Sequence, residues 1–199
     1  MCASTNPGKV AELVDILRPL GVSLLPRPAD LPDVEEDADT LEGNALLKAS
    51  AVLKATGQPA LADDSGLFVD ALEGKPGVRT ARYAGEPADP LANMTKLLAA
   101  LRKAGAMQQD QRTARFVTVI VALWPDGGRI VATGTAEGRI AMAPRGSGGF
   151  GYDPIFVPEG ADGRTFAELP SAAKHGLSHR GRALSQLGAL LGERGAELG

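Results

Sequence analysis

The sequence predicts an α/β fold, in which helices flank a β-sheet. Amphipathic helical periods and short strand-like runs both occur along the chain. Between two of the strand-like runs lies the turn sequence Pro125-Asp126-Gly127-Gly128, which indicates a hairpin. A chain of 199 residues can bury a substantial core. We expect a single domain over residues 1–199, although the chain is also long enough for two lobes packed around a cleft.

The first half of the chain predicts two helices and two strands. A helix from Gly8 to Leu20, begun by Asn6 and Pro7, has apolar residues at spacings of three and four. A proline-rich acidic loop over 26–39 precedes a second helix, which Thr40 caps and which ends near Thr56. We expect short strands at 59–62 and 67–72, separated by an acidic turn.

The second half alternates in the same way. A surface loop over 75–85 precedes a helix over 90–103 and a polar connector over 104–111. The predicted strands cover 114–124, 129–135, 139–141 and 154–157, and a last helix covers 178–193. A glycine-dense loop over 146–153 separates the last two strands.

Composition excludes several classes of site. A net charge of −3 argues against non-specific binding to nucleic acid. Cys2 is the sole cysteine, and His175 and His179 are the only histidines, so a thiolate or multi-histidine zinc site is implausible. Oxygen ligands remain, and these suit Mg²⁺ or Mn²⁺. No stretch has the length of a membrane span and the start is not a signal peptide, so we expect a cytoplasmic protein.

Two adjacent carboxylates, Asp63 and Asp64, close a short apolar run. Buried ionised groups need a cation or a proton, and a metal ion supplies the first. Neighbours on an extended chain face opposite ways, so only one of the pair can reach a given site. We favour Asp64, because it precedes the predicted Ser65-Gly66 turn.

Two predicted helix starts carry cations where the helix dipole favours anions. One is Ser4-Thr5-Asn6-Pro7-Gly8-Lys9, and the other is Lys174 followed by Ser178-His179-Arg180. Free backbone N–H groups at such positions bind phosphate. The alternative is that Asn6 and Ser178 are ordinary caps beside solvated cations, with His179 packed in the core.

The loop Gly146–Asp153 combines glycines with Phe150 and Tyr152. Glycine lets the backbone approach a ligand closely, and the two rings with an adjacent acid suit a planar base. The alternative is a long connection whose aromatic residues cap the core. Together with the phosphate and metal candidates, the loop indicates a nucleoside triphosphate hydrolase, in which a metal orients a water and a carboxylate acts as base.

Six blocks of sequence closely resemble the inosine triphosphate pyrophosphatase family, whose members are also called XTP/dITP diphosphatases. The blocks, in chain order, are STNPGK (4–9), LADDSGL (61–67), PGVRTARYAG (76–85), GGFGYDPIF (148–156), TFAEL (165–169) and SHR (178–180). The resemblance implies Mg²⁺-dependent hydrolysis of ITP, dITP and XTP to the monophosphate and pyrophosphate by a homodimer. It also implies an elongated mixed β-sheet flanked by helices, with two lobes around a central active-site cleft.

The resemblance also implies roles for individual residues. Asp64 would be the proton acceptor and a metal ligand, and Glu36 the second acidic ligand, with Asp33 as an alternative. The phosphates and sugar would be held by Ser4, Thr5, Asn6, Pro7, Gly8, Lys9, Ser65 and Lys174. The base would be enclosed by Phe150, Gly151, Tyr152, Asp153, His179 and Arg180.

Two departures from the family pattern stand out. Only Met1-Cys2-Ala3 precede the first block, so we expect a short start and a frayed first strand. At Gly43 the family usually has a glutamate, whose polar role would be absent or taken by Glu42, whereas Asn44 is retained.

Selectivity for the base has a physical explanation. Backbone N–H groups or Arg180 would donate to the 6-oxo group of hypoxanthine or xanthine and would face a donor in adenine. Guanine shares the 6-oxo group, so its exclusion needs a further contact. The rival interpretations are a Maf-like nucleotide pyrophosphatase, a regulator that binds nucleotide without cleavage, and a nucleic-acid-binding module.

Overall fold

The protein is described here from a computed structural model, which covers residues 1–4, 10–11, 13–14, 17–18 and 21–198, with side chains to residue 194. Its helices are α1 (Leu41–Thr56), α2 (Pro90–Lys103), α3 (Ser171–Leu177) and α4 (His179–Leu198). Its strands are β1 (Ala60–Val69), β2 (Pro76–Gly77), β3 (Thr113–Leu123), β4 (Arg129–Ile140) and β5 (Phe156–Pro158). Among residues 8–20, the described positions 10, 11, 13, 14 and 17 are helical, as predicted.

The strands form a five-stranded sheet in the order β2-β1-β3-β4-β5. Strand β1 pairs with β2, and β4 with β5, in the antiparallel direction. Residues ahead of the sheet also join it, because Cys2 forms a parallel bridge with Leu61 and its N–H donates to the Leu25 carbonyl at 2.8 Å. The predicted α/β fold is confirmed, whereas the prediction that residues 1–3 fray is wrong.

Side-chain caps fix the starts of α1 and α2 where the sequence predicts them. The Thr40 hydroxyl accepts from the Gly43 N–H at 3.0 Å, and Asp89 accepts from the N–H groups of Leu91 and Ala92. Each cap satisfies a backbone donor that has no partner inside its helix. Helix α1 ends at Gly57, whose φ of 64° is in the left-handed region that glycine adopts without strain.

The acidic segment 63–66 is not a turn. Strand β1 runs without interruption through it, so the prediction of two strands separated by an acidic turn is wrong. The misleading signal is Gly66, which is there for close approach: a Cβ at this position would lie 2.8 Å from the Gly77 carbonyl oxygen of β2. A glycine inside a strand often marks such a contact rather than the end of the strand.

We expect Gly66→Ala to lower the free energy of unfolding by about 2 kcal/mol, because the added methyl group must push β2 away from β1. Urea denaturation measures the change. Gly192→Ala is a matched control, because nothing lies within 4 Å of a Cβ at that helical position. The control should leave stability unchanged or raise it by up to about 1 kcal/mol, and equal effects of the two variants would contradict the assignment.

Three further elements differ from the predictions. The predicted third strand at 139–141 is the end of β4, which continues to Ile140 and pairs there with Phe156 of β5. The predicted loop at 75–85 contains β2, and a short helix, α3, precedes the last helix. The missed elements span two and seven residues, too few to show a periodic pattern.

The chain divides into two compact units. Unit 1 comprises residues 1–64, 118–134 and 181–199, and unit 2 comprises residues 65–117 and 135–180. The core of unit 1 includes Leu13, Leu17, Ile120, Leu184 and Leu187. The core of unit 2 includes Leu67, Leu97, Phe116, Phe156 and Phe166. That all 199 residues serve one catalytic domain stays a prediction.

In the part of the chain that the structure describes, none of the helices combines the length and the apolar character needed to cross a bilayer.

Candidate functional site

The acidic site predicted for Asp64 lies in unit 1. Helix α1 supplies Lys48, whose Nζ lies 2.8 Å from Glu36 Oε1 and 3.3 Å from Asp64 Oδ1. The side chain of Asp64 is 7% exposed, and that of Glu36 is 29% exposed. The structure therefore brings the two predicted metal ligands to one shared cation. The alternative ligand, Asp33, instead forms an exposed ion pair with Arg27.

The charge of Lys48 is set by two opposing effects. Burial disfavours the charged ammonium group, but the negative charges of Asp64, Glu36 and Asp63 outweigh it and raise the pKa of Lys48. The amine therefore stays protonated at neutral pH. Its positive charge offsets part of the cost of holding the carboxylate groups of Asp64 and Glu36 at a site that is largely removed from water.

A second residue of α1, Asn44, holds the same carboxylate. Its side chain is fully buried, and its Nδ2 donates to Asp64 Oδ2 at 3.2 Å. Its Oδ1 accepts from the backbone N–H of Ala38 at 3.0 Å. One buried amide thus connects the strand that carries Asp64 to the loop that carries Glu36.

The donor set at this site fits a hard divalent ion. Both converging groups are carboxylates, and Mg²⁺ in proteins is commonly held by one or two carboxylates, with water and phosphate oxygens completing the shell. Within the described residues, no group of three or more histidine, cysteine, aspartate or glutamate side chains could hold a metal on its own.

Unit 2 contains the residues predicted to enclose a base. A buried ion pair joins Lys174 Nζ to Asp153 Oδ2 at 2.8 Å, and the same oxygen accepts from the Phe150 N–H at 2.8 Å. A Cβ at Gly149, whose φ is 71°, would lie 2.0 Å from that oxygen. Only glycine fits there, so the glycine-rich loop wraps around the Asp153 carboxylate.

The ring of Phe150 is the exposed aromatic surface of this group. It is 39% exposed, with Lys174 Nζ 4.9 Å and the Arg180 guanidinium 5.7 Å from its centre. Arg180 Nη2 also lies 3.5 Å from Ser65 Oγ. The structure thus links Ser65, Arg180, Phe150, Lys174 and Asp153. Ser65 and Lys174, which were predicted to hold the phosphates and sugar, therefore lie in one group with predicted base residues.

Tyr152 and His179 lie in the core of unit 2. Tyr152 is 5% exposed, and its hydroxyl donates to the Thr80 carbonyl at 2.9 Å. The exposed flat face expected of Tyr152 is therefore absent from the described structure. The His179 ring stacks on Phe116 with 4.6 Å between ring centres, as the alternative interpretation of a packed histidine predicts.

Most of the first predicted phosphate site, Ser4–Lys9, lies outside the residues that the structure describes. Thr5, Asn6, Pro7, Gly8 and Lys9 lie outside the described residues, and Ser4 is half-buried at their edge. Gly151 has a φ of 62°, and apart from its chain neighbours nothing lies within 4 Å of a Cβ placed there, so the loop is open at this position.

Lys48 and Asn44 were not among the site residues predicted from the sequence. A signal was present, because both are polar and four residues apart on a helix whose other buried residues are apolar. Residues at that spacing share one helix face, so Lys48 and Asn44 had to meet the same surroundings. The proximity of Asp64 came from the fold and not from the helix pattern.

We expect Asn44→Leu to lower the catalytic rate about 30-fold, because a hydrogen bond to a charged group contributes about 2 kcal/mol. Steady-state kinetics on a nucleoside triphosphate measures this effect. Asn93→Leu is the matched control, since Asn93 is also buried at the fourth position of its helix and bonds to the backbone of Ala81 and Ala84. Equal losses of rate in both variants would contradict a specific role for Asn44.

Comparison with known proteins gives one consistent result. The sequence profile of the Ham1 family matches residues 1–190. A dITP/XTP pyrophosphatase of Geobacter sulfurreducens is 50% identical over 197 residues, which is 98% of this chain and 97% of that protein.

Solved structures agree with the sequence match. A HAM1 protein from Coxiella burnetii has a TM-score of 0.87 at 42% identity, covering 96% of this chain and 97% of the other. The Ham1 protein of Staphylococcus aureus has a TM-score of 0.84 at 40% identity, covering 97% of both chains. The profile match, the sequence identity and the coverage together show that the chain belongs to the Ham1 family.

Proposed function

We propose that this protein hydrolyses non-standard purine nucleoside triphosphates, namely dITP, XTP and ITP, to the monophosphate and pyrophosphate. Its 50% identity over nearly the whole length to a protein named dITP/XTP pyrophosphatase supports this assignment. The structural observation that carries it is the convergence of Glu36 and Asp64 on one cation. This arrangement suits a metal that binds a polyphosphate.

In this proposal Asp64 and Glu36 hold a divalent metal ion, Mg²⁺ or Mn²⁺. When bound, the ion would neutralise negative charge on the phosphate oxygens. Asp64 accepts the proton of the attacking water, and Asn44 fixes the orientation of its carboxylate. Ser65 and the segment from Ser4 to Lys9 bind the phosphates and the sugar.

The base would lie against the exposed ring of Phe150. Asp153 and Lys174 hold the loop that carries this ring, and the loop is open at Gly151. Arg180 or a backbone N–H donates to the 6-oxo group that hypoxanthine and xanthine share. A donor meets a donor when adenine is in the same place, and this mismatch carries the selectivity.

We further propose that the protein acts as a homodimer in the cytoplasm, where it removes non-standard nucleotides from the pool. Light scattering coupled to size-exclusion chromatography tests the first point. A mass of twice 20.5 kDa is expected, and a monomer at micromolar concentration would contradict the dimer.

The products of the reaction test the proposed chemistry. Phosphorus NMR of dITP incubated with the protein and Mg²⁺ should show pyrophosphate and dIMP in equal amounts, and chelation of the metal should stop their formation. Inorganic phosphate with dIDP would contradict a pyrophosphatase. Tight binding of dITP without any product would instead support a regulator that binds nucleotide and does not cleave it.

A further inference from the structure

The ammonium group of Lys48 lies where the two candidate metal ligands meet. Its Nζ is 2.8 Å from Glu36 Oε1 and 3.3 Å from Asp64 Oδ1. The Lys48 side chain is only 13% exposed, so the contact is largely shielded from ions in solution. In the structure, the cation at this point is a side chain of the protein itself.

A metal ion bound to Glu36 Oε1 and Asp64 Oδ1 would compete with this ammonium group for the same two oxygens. Mg²⁺ binds carboxylate oxygens at about 2.0–2.1 Å. Glu36 Oε1 and Asp64 Oδ1 both contact Lys48 Nζ already, so an ion held by these two oxygens would be close to the ammonium group. Two cations at such a separation repel, and each needs the same pair of oxygens. Binding of the metal therefore requires the Lys48 side chain to move away.

We propose that Lys48 is an internal competitor of the metal, so that the protein without nucleotide binds divalent ions weakly. This inference rests on the proposed function, because it assigns the metal to Glu36 and Asp64. A displaced ammonium group needs another anion, and the triphosphate of the substrate supplies one. Metal and nucleotide then bind with positive coupling, since the nucleotide receives the group that the metal expels.

The test is Mn²⁺ binding to the full-length protein without nucleotide, measured from the electron paramagnetic resonance signal of free Mn²⁺. We expect Lys48→Met to lower the dissociation constant at least about tenfold, because the competing charge is removed while both carboxylates stay. Lys54→Met is the matched control: it lies on the same helix, is exposed, and changes the net charge equally. It should bind Mn²⁺ within about twofold of the native protein.

Two further variants test the proposal even if Lys48→Met does not fold. Lys48→Gln should also bind Mn²⁺ more tightly than the native protein, whereas Lys48→Arg, which keeps the charge, should bind as weakly as the native protein. The proposal is overturned by Lys48→Met and Lys48→Gln binding no more tightly than the native protein, or by Lys48→Arg binding as tightly as Lys48→Met. No nucleotide or turnover enters the measurement, so its outcome is distinct from a failure to release pyrophosphate from dITP.

Discussion

Replacement of Asp64 by asparagine is expected to lower the rate of pyrophosphate release from dITP by about 10³-fold. The variant keeps the size of the side chain and removes its charge. The amide can neither accept the proton of a water nor serve as a strong ligand for a divalent ion. Because Asp64 touches both Lys48 and Asn44, the substitution alters the contacts of the site without leaving a cavity.

The control for this variant is Asp70→Asn. Asp70 follows β1 directly, and its 53%-exposed side chain forms a surface ion pair with Arg115 at 3.1 Å. Surface ion pairs contribute little, so this variant should keep its rate within about twofold. Thermal melting of both variants shows whether they are folded. A folded Asp64→Asn protein with the native rate would remove Asp64 from the proposed mechanism.

The second large effect concerns stability. We expect Lys174→Met to lower the free energy of unfolding by about 3 kcal/mol, because it leaves the buried Asp153 carboxylate without its ion-pair partner. Urea denaturation measures the loss. Lys103→Met, at the exposed end of α2, is the control and should change stability by less than about 0.5 kcal/mol.

A double variant separates the ion pair from packing. Lys174→Met combined with Asp153→Leu removes both charges, so it should recover part of the stability that Lys174→Met loses. Recovery is incomplete because the Phe150 N–H then loses its acceptor. A loss of less than about 1 kcal/mol in Lys174→Met would contradict the importance of the buried pair.

The elements that the sequence predicted well are those with a local physical signal. Thr40 and Asp89 cap helices whose apolar faces repeat over 14–16 residues, and both helices have their predicted bounds. The hairpin from β3 to β4 follows from the Asp-Gly turn between two long strands. In each case the residues that decide the structure are close together in the sequence.

The errors arise where a distant part of the chain decides the local structure. Gly66 indicated a turn, but glycine is required there because the backbone of β2 comes close to it. The contact is with Gly77, eleven residues further along the chain. Tyr152 has the residue type of a base-stacking platform, yet the carbonyl of Thr80 holds it in the core. Such contacts leave no periodic pattern in the sequence.

Only part of the candidate site was predictable, because only some of its residues have a local signal in the sequence. Asp64 was identified because buried adjacent carboxylates need compensation. Glu36 came from the family resemblance, since an acidic loop by itself does not distinguish a ligand from a solvated charge. Lys48 and Asn44 were missed because only the packing of α1 brings them to Asp64.

In the mechanism that we propose, the 6-oxo group of the base selects the substrate of this pyrophosphatase. The ratio of kcat/KM for pyrophosphate release from dITP to that from dATP tests it most directly, because these nucleotides differ only at one edge of the purine, in the oxo or amino group at position 6 and in the proton that the oxo form carries on N1. Unpaired donors at a built site discriminate by up to about 10⁴-fold, so we predict a ratio above about 10². Equal values for the two nucleotides would contradict the claim.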